Sequence, residues 1–305
     1  MGYPPPPQQP PAWPQAQPAY APQYGYGGWA FPHPPPPDPP ELPEGASPWP
    51  KWPVWAGFAA MGIGLVATLV GVAIMFAIFS AAGGDSDSPG FAQVATVVQD
   101  MIFVGTAVFL AAQTMRPRPW QFGLRRTRFW PTVGWAAAGL GAFWVFVILF
   151  SLLVSPDGEQ DTLDTLGTED SKLLLVGAAI LVVTIAPFAE EVFFRGFFYR
   201  SLRTKFGIAA AAAIDGLIFG VIHFQGADTL EIIPILAALG VIFCLVYERT
   251  GSLFAPIALH SLNNFLAFGS GTEEWAVAGI VGGTTIAICM LLPRLLPARQ
   301  PMAGN

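Results

Sequence analysis

Charge is scarce in this chain. Only 11% of its 305 residues are Asp, Glu, Lys or Arg, against about a quarter in an ordinary soluble domain. The scarcity excludes a soluble globule, because the 53% of hydrophobic residues fall in long runs, each about the length that crosses a bilayer. Cysteine is nearly absent: Cys244 and Cys289 are the only two. Both sit in apolar runs, where they are expected to pack as small hydrophobes, and no disulfide framework is expected. No basic segment with a small-residue cleavage site precedes the first apolar run near residue 54, so a cleaved signal peptide is not expected. The His-Glu-x-x-His zinc signature and the Gly-x-Ser-x-Gly elbow are both missing, which excludes the commonest soluble metalloprotease and serine hydrolase designs. No period of 20–50 residues recurs and no inverted repeat of the transporter kind is visible.

What is present divides in two. Residues 1–53 hold 20 of the 31 prolines, interleaved with Tyr, Gln and Gly. Such a segment cannot bury enough apolar surface to fold, and reads as a disordered, locally polyproline II, cytoplasmic tail. A proline-binding partner is one use for it; a plain solvated tail is favoured. Its one lysine, Lys51, stands against Asp38, Glu41 and Glu44, so it is no polybasic lipid anchor. Trp49, Trp52 and Trp55 read as an interfacial belt ahead of the first span.

From 54 to about 300 the chain reads as an all-α, polytopic membrane helix bundle of about eight transmembrane helices: 54–82, 91–114, 130–154, 172–203, 207–225, 229–247, 252–269 and 275–292. Charge tests the division. Lys51, five arginines between 116 and 128, Arg195, Arg200, Arg203, Lys205, Arg249, Arg294 and Arg299 fall on one side; Lys172 alone falls on the other. That asymmetry predicts a multi-pass cell-membrane protein with both termini cytoplasmic. The opposite loops are acidic, which accounts for the net charge of −6 without a cationic partner. No nucleic-acid partner is expected; the partner implied is the lipid bilayer.

One polar island interrupts the hydrocarbon. Glu190-Glu191-Val-Phe-Phe-Arg195 lies in the fourth run, His223 in the fifth, and His260 with Asn264 in the seventh. Ionisable groups at such depth are costly unless paired or wet, and so point to function. The fourth run, if one helix, is about 48 Å long at 1.5 Å per residue, and must tilt, break or protrude from a ~30 Å core. Measured back from the turn near 204–206, Glu190 lies about 21–24 Å along one helix and His223 about 25 Å along the next. The hairpin therefore sets them at similar height. Glu191 and Arg195 are spaced i,i+4 with the acid first, as in a neutralising pair. Glu190 is then the unpaired carboxylate, suited to act as a general base on water. Asn264 follows His260 by one turn, and its amide suits an oxyanion. Phe219, one turn before His223, packs beside it or simply in the core. Asp215 and Asp100 compete as polar residues: Asp215 either orients His223 through water or faces a cavity, and Asp100 with Gln99 could line that cavity. Ser261 lies about 100° around the helix from His260 and makes a poor nucleophile–base pair.

The three motifs Glu190-Glu191-Val-Phe-Phe-Arg195, Phe219-Gly-Val-Ile-His223 and His260-Ser-Leu-Asn-Asn264 resemble those of the CPBP family of intramembrane proteases. That family includes CAAX prenyl endopeptidases and the Abi group linked to bacteriocin processing or self-immunity. Phe194-Arg195-Gly196-Phe197 also looks like the family, and the resemblance covers about residues 172 to 270. It implies peptide-bond hydrolysis in a membrane-embedded or lipidated peptide, with Glu190 activating water and His223, His260 and Asn264 binding or polarising the carbonyl. Glu191, Arg195 and Phe219 support them. The family's usual label, metalloprotease, makes Zn2+ held by His223, His260 and Glu190 one expectation; a metal-free variant that needs only the glutamate is the other. A scaffold or self-immunity factor that keeps the motifs without catalysis is the non-enzymatic alternative. A transporter is a poorer one, because the ionisable residues cluster instead of tracing a path.

Overall fold

The computed structural model describes residues 51–126, 128–154 and 162–295. The proline-rich tail through residue 50, the acidic stretch holding Asp157, Glu159 and Asp161, and Arg299 lie outside the described residues. Among the described residues there is no strand; eight long helices carry the fold. They are α1 (Val54–Ala81), α2 (Pro89–Ala112), α3 (Phe129–Val154), α4 (Lys172–Leu202), α5 (Ile208–Ile222), α6 (Ile233–Thr250), α7 (Phe254–Thr272) and α8 (Trp275–Leu295). Large apolar side chains such as Leu69 (72% exposed) and Leu153 (85% exposed) point outward from α1 and α3. In water they would be a liability; facing lipid they cost nothing. This is a multi-pass membrane protein.

Six of the eight, α1 to α4, α6 and α8, are long and apolar enough to cross a membrane. Two depart from the eight-span expectation. At 15 residues, α5 reaches about 22 Å, short of a ~30 Å hydrocarbon core. It stops at Ile222, with His223 as its C-terminal cap and Gly226 (φ 152°) just beyond. The apolar pattern runs on through Phe224, so the stop is not visible in hydropathy. The other, α7, is diluted by His260, Ser261, Asn263 and Asn264.

Close approach of α5 and α6 depends on glycine. A Cβ on Gly216 would lie 2.5 Å from the Ala237 carbonyl, and one on Gly220 would lie 2.8 Å from that of Ile233. Small residues let helix backbones touch, as membrane helices do where lipid removes the hydrophobic drive between them. The remaining elements are tied by polar contacts at the end where α4 and α6 finish. Glu248 accepts from Tyr199 Oη (3.0 Å) and pairs with Arg203 (3.0 Å) and Arg200 (3.6 Å). The short turn Pro119–Phe122 is clamped there too. Tyr247 Oη donates to the Phe122 carbonyl (2.7 Å), and Leu253 N donates to that of Gly123 (2.8 Å).

Trp52 corrects the reading of the tryptophans. It is fully buried, with its ring 4.9 Å from Phe122 and 5.0 Å from Phe197, whereas Trp55 is exposed. The chain enters α1 across the clamped turn, so Trp52 plugs the bundle instead of floating at an interface. A chain beginning at Trp49 should unfold like the full one. One beginning at Val54 should lose about 3–5 kcal/mol, the usual cost of deleting a buried tryptophan side chain; thermal unfolding of both in the same detergent checks this.

Candidate active site

Helix α4 is not uniform. It runs α over Lys172–Ile180, π over Leu181–Ile185, α over Ala186–Glu191, π over Val192–Phe198 and α again to Leu202. The two glutamates end the α segment between two π segments. A π turn closes i→i+5 bonds, widens the helix and re-aims its side chains, a distortion that recurs at functional sites. It also leaves carbonyls wanting donors, and α7 supplies them. Asn264 Nδ2 donates to the Val182 carbonyl (2.9 Å) and Ser261 Oγ to that of Val183 (2.7 Å). The length that had to be accommodated by a tilt or break is therefore taken up partly by these wide turns.

The structure brings Glu190, Glu191, Arg195, Phe219, His223 and His260 together. Glu190 Oε2 lies 3.9 Å from His223 Nε2 and 3.9 Å from His260 Nε2; it is buried and has no hydrogen-bond partner. Glu191 does more than neutralise Arg195. Its Oε1 accepts from Arg195 Nη1 (2.8 Å) and from His260 Nδ1 (3.0 Å) at once. His223 Nδ1 lies 2.6 Å from the Phe219 carbonyl, which can only accept, so the proton is assigned to Nδ1. The same reasoning applies to His260 against its carboxylate. A ring that carries its proton at Nδ1 alone turns an Nε2 lone pair toward Glu190.

Aromatic rings wall the cluster. Phe219 is 4.7 Å from the His223 ring, and Phe243 stacks on His260 at 4.8 Å, 29° from parallel. Arg195 lies over the faces of both phenylalanines, 4.5 and 5.0 Å from their centroids, a favourable placement for a buried cation. Side-chain exposure separates the roles: Glu191 and Arg195 are sealed at 0%, while Glu190 (22%) and His223 (23%) look onto open space.

Some placements differ from the sequence reading. Asp215 does not face His223; its Oδ1 lies 3.5 Å from Arg195 Nε and accepts from Cys244 Sγ. The i−8 spacing to His223 put it on the right face but could not reveal a nearer cation on α4. Asp100 is buried and lines a separate cavity, whereas Gln99 is exposed. Asn264 spends one amide hydrogen on Val182 and accepts from Asn263 at its oxygen (3.3 Å), leaving one amide hydrogen for a ligand. Phe243 carried no motif signal, and only the packing of α6 on α7 exposes its contact with His260.

The donor set suits zinc chemically: two imidazole Nε2 lone pairs, each ring held through Nδ1, beside an orphaned carboxylate oxygen. The spacing does not. Two ligands of a tetrahedral zinc, each roughly 2.0–2.1 Å from the ion, stand roughly 3.3 Å apart, against 3.9 Å for both pairs here. Among the described residues no group of three or more His, Cys, Asp or Glu is arranged to hold a metal ion.

Fold and cluster thus define an all-α membrane protein with a glutamate–histidine site sunk between helices. Residues 172–266 match the family described as Type II CAAX prenyl endopeptidase Rce1-like. Among curated relatives, YdiL of Bacillus subtilis (strain 168) is 29% identical over 138 residues, 43% of this chain and 52% of that protein. The membrane-embedded CAAX protease MroQ of Staphylococcus aureus (strain USA300) is 27% identical over 145 residues, 43% of this chain and 55% of its own. The matches to YdiL and MroQ span about half the length of each. No solved structure matches.

Proposed function

We propose that this protein is an intramembrane endopeptidase acting on a membrane-embedded or lipidated peptide. The observation that carries the reading is the unpartnered Glu190 Oε2 equidistant from two Nε2 lone pairs, a set in which a water beside them can bridge the acid and one ring. That water gives one hydrogen bond to Glu190 and one to a histidine. Glu190 takes its proton as the oxygen attacks the scissile carbonyl carbon, and returns that proton to the amide nitrogen as the C–N bond breaks. The free N–H of Asn264 serves the oxyanion. Glu191 holds His260 in the tautomer that accepts from the water, and Arg195 offsets the charge of Glu191. No step is drawn through zinc, given the spacing. The match of residues 172–266 to the Rce1-like family and likeness to a protein named as a CAAX protease support the reading.

The discriminating experiment compares membrane peptides by mass spectrometry in cells carrying the wild-type protein or Glu190→Ala. A substrate that accumulates whole only in the variant, with its cleavage in membranes unaffected by a zinc chelator, supports the mechanism. Identical peptide profiles would favour a non-catalytic scaffold or self-immunity role. For orientation we propose both termini cytoplasmic, from the thirteen-to-one split of Lys and Arg. A phosphatase reporter fused after Asn305, active only outside the cytoplasm, should be silent.

A further inference from the structure

A cavity of about 670 Å³ lies between α2, α4, α7 and α8, lined by Gly105, Ala189, Ile257 and Leu292 among other residues. None of Glu190, His223 and His260 lines it, yet Ala189 immediately precedes Glu190, so the chamber adjoins the hydrolytic cluster without being part of it. Its walls are almost entirely apolar. The hydroxyls of Thr184 and Thr285 bond each other at 2.7 Å, and Thr285 also donates to the Val281 carbonyl. That leaves one demanding group, the carboxyl of Asp100. Asp100 is 6% exposed, and its buried Oδ2 has no hydrogen-bond partner among the described residues. No salt bridge reaches it there, and the charge that acts on it is that of another acid, Glu190.

A carboxylate walled in hydrocarbon beside a second acid is stabilised more by a cation than by a neutral donor. The walls require that cation to arrive on an aliphatic stem. Lysine combines the two, with four methylenes ending in an ammonium of three donors. The volume exceeds one lysine side chain and has room for an apolar neighbour from the same segment. Resting on the hydrolytic reading, we propose that this cavity is a specificity subsite for a lysine side chain in an apolar substrate segment. The stem lies along the walls and the ammonium sits on Asp100. A segment whose peptide bond lies at Glu190 reaches the chamber with a residue close in sequence to that bond.

The test uses full-length Glu190→Gln protein in lipid nanodiscs, so that binding is read without hydrolysis. The probes are a fluorescent leucine-rich peptide with a single lysine and the same peptide with norleucine there; fluorescence anisotropy reports affinity. The lysine peptide should bind about tenfold or more tightly than its norleucine twin, the scale of a hydrogen bond to a charged group. Adding Asp100→Asn should erase that advantage. Gly105→Leu is tolerated by the backbone, because a Cβ there meets nothing within 4 Å; by filling the chamber it should weaken both peptides. Equal binding of the two peptides, an advantage that survives Asp100→Asn, or indifference to Gly105→Leu would overturn the subsite. A clear lysine advantage in a protein whose wild-type form cleaves no peptide would keep the subsite and remove the hydrolytic reading.

Discussion

Glu190→Gln should cut peptide hydrolysis by about 10²- to 10⁴-fold, the span that a general base supplies, while leaving the fold intact. The amide keeps the size of the side chain but cannot take a proton from water. Stability should hold because Glu190 gives up little. Its two contacts with histidine are 3.9 Å long, and its buried Oε2 has no hydrogen bond. Removing an unpartnered carboxylate from a partly buried site removes a desolvation cost, so the unfolding midpoint should stay or rise. Single-turnover cleavage and thermal unfolding in one detergent check both halves. Full cleavage by Glu190→Gln would refute the assignment of the base. Lost cleavage with a lowered midpoint would point to a structural role instead.

Arg195→Met should produce a large loss of stability. The guanidinium is sealed from solvent and satisfies three elements together: Glu191 Oε1 on its own helix, Asp215 on α5 and the Gly240 carbonyl on α6. Removing it leaves two buried carboxylates without their cation. Breaking a buried pair costs about 3–5 kcal/mol, because the charge left behind has no compensation. Activity per folded molecule should fall as well, since Glu191 would no longer hold His260 with the same charge balance. Arg195→Lys keeps the charge but not the fork that reaches all three partners, and should fall between wild type and Arg195→Met. Glu191→Gln should cost less than Arg195→Met, because Asp215 still faces the guanidinium, while His260 loses a charged acceptor. Chemical unfolding of the three variants ranks them, and a neutral Arg195→Met would refute the idea that this cation organises the site.

Much of this architecture is legible in the amino-acid sequence. Eight helices form where hydropathy places them, because chain length in hydrocarbon and the need to satisfy every backbone group leave little alternative. The Glu191–Arg195 pair follows from i,i+4 spacing, a local quantity. So does the shared height of Glu190 and His223, since a hairpin of known rise fixes depth. The three motifs that suggest the family lie within residues 172–266, the segment that matches it.

Other features are out of its reach because they are set by distances across the fold. Trp52 reads as an interfacial residue, and only the turn at Phe122, closing over it, makes it a core one. The π segments on either side of Glu190-Glu191 have no hydropathy signature; the first of them is held by Asn264 and Ser261, about 80 residues away in the chain. The early stop of α5 at His223 depends on the ring finding the Phe219 carbonyl. Most consequentially, sequence spacing marks both glutamates as candidates and pairs one of them with Arg195. Only the packing of α7 against α4 shows that Glu191 also holds His260 while Glu190 keeps a buried oxygen with no hydrogen bond. Sequence alone determined which polar groups lie within apolar helices and at what height relative to one another, because rise per residue and the cost of burial act locally. Tertiary structure decided which atom of each group is engaged and which is free to react, because hydrogen bonds between helices depend on separations of a few tenths of an ångström.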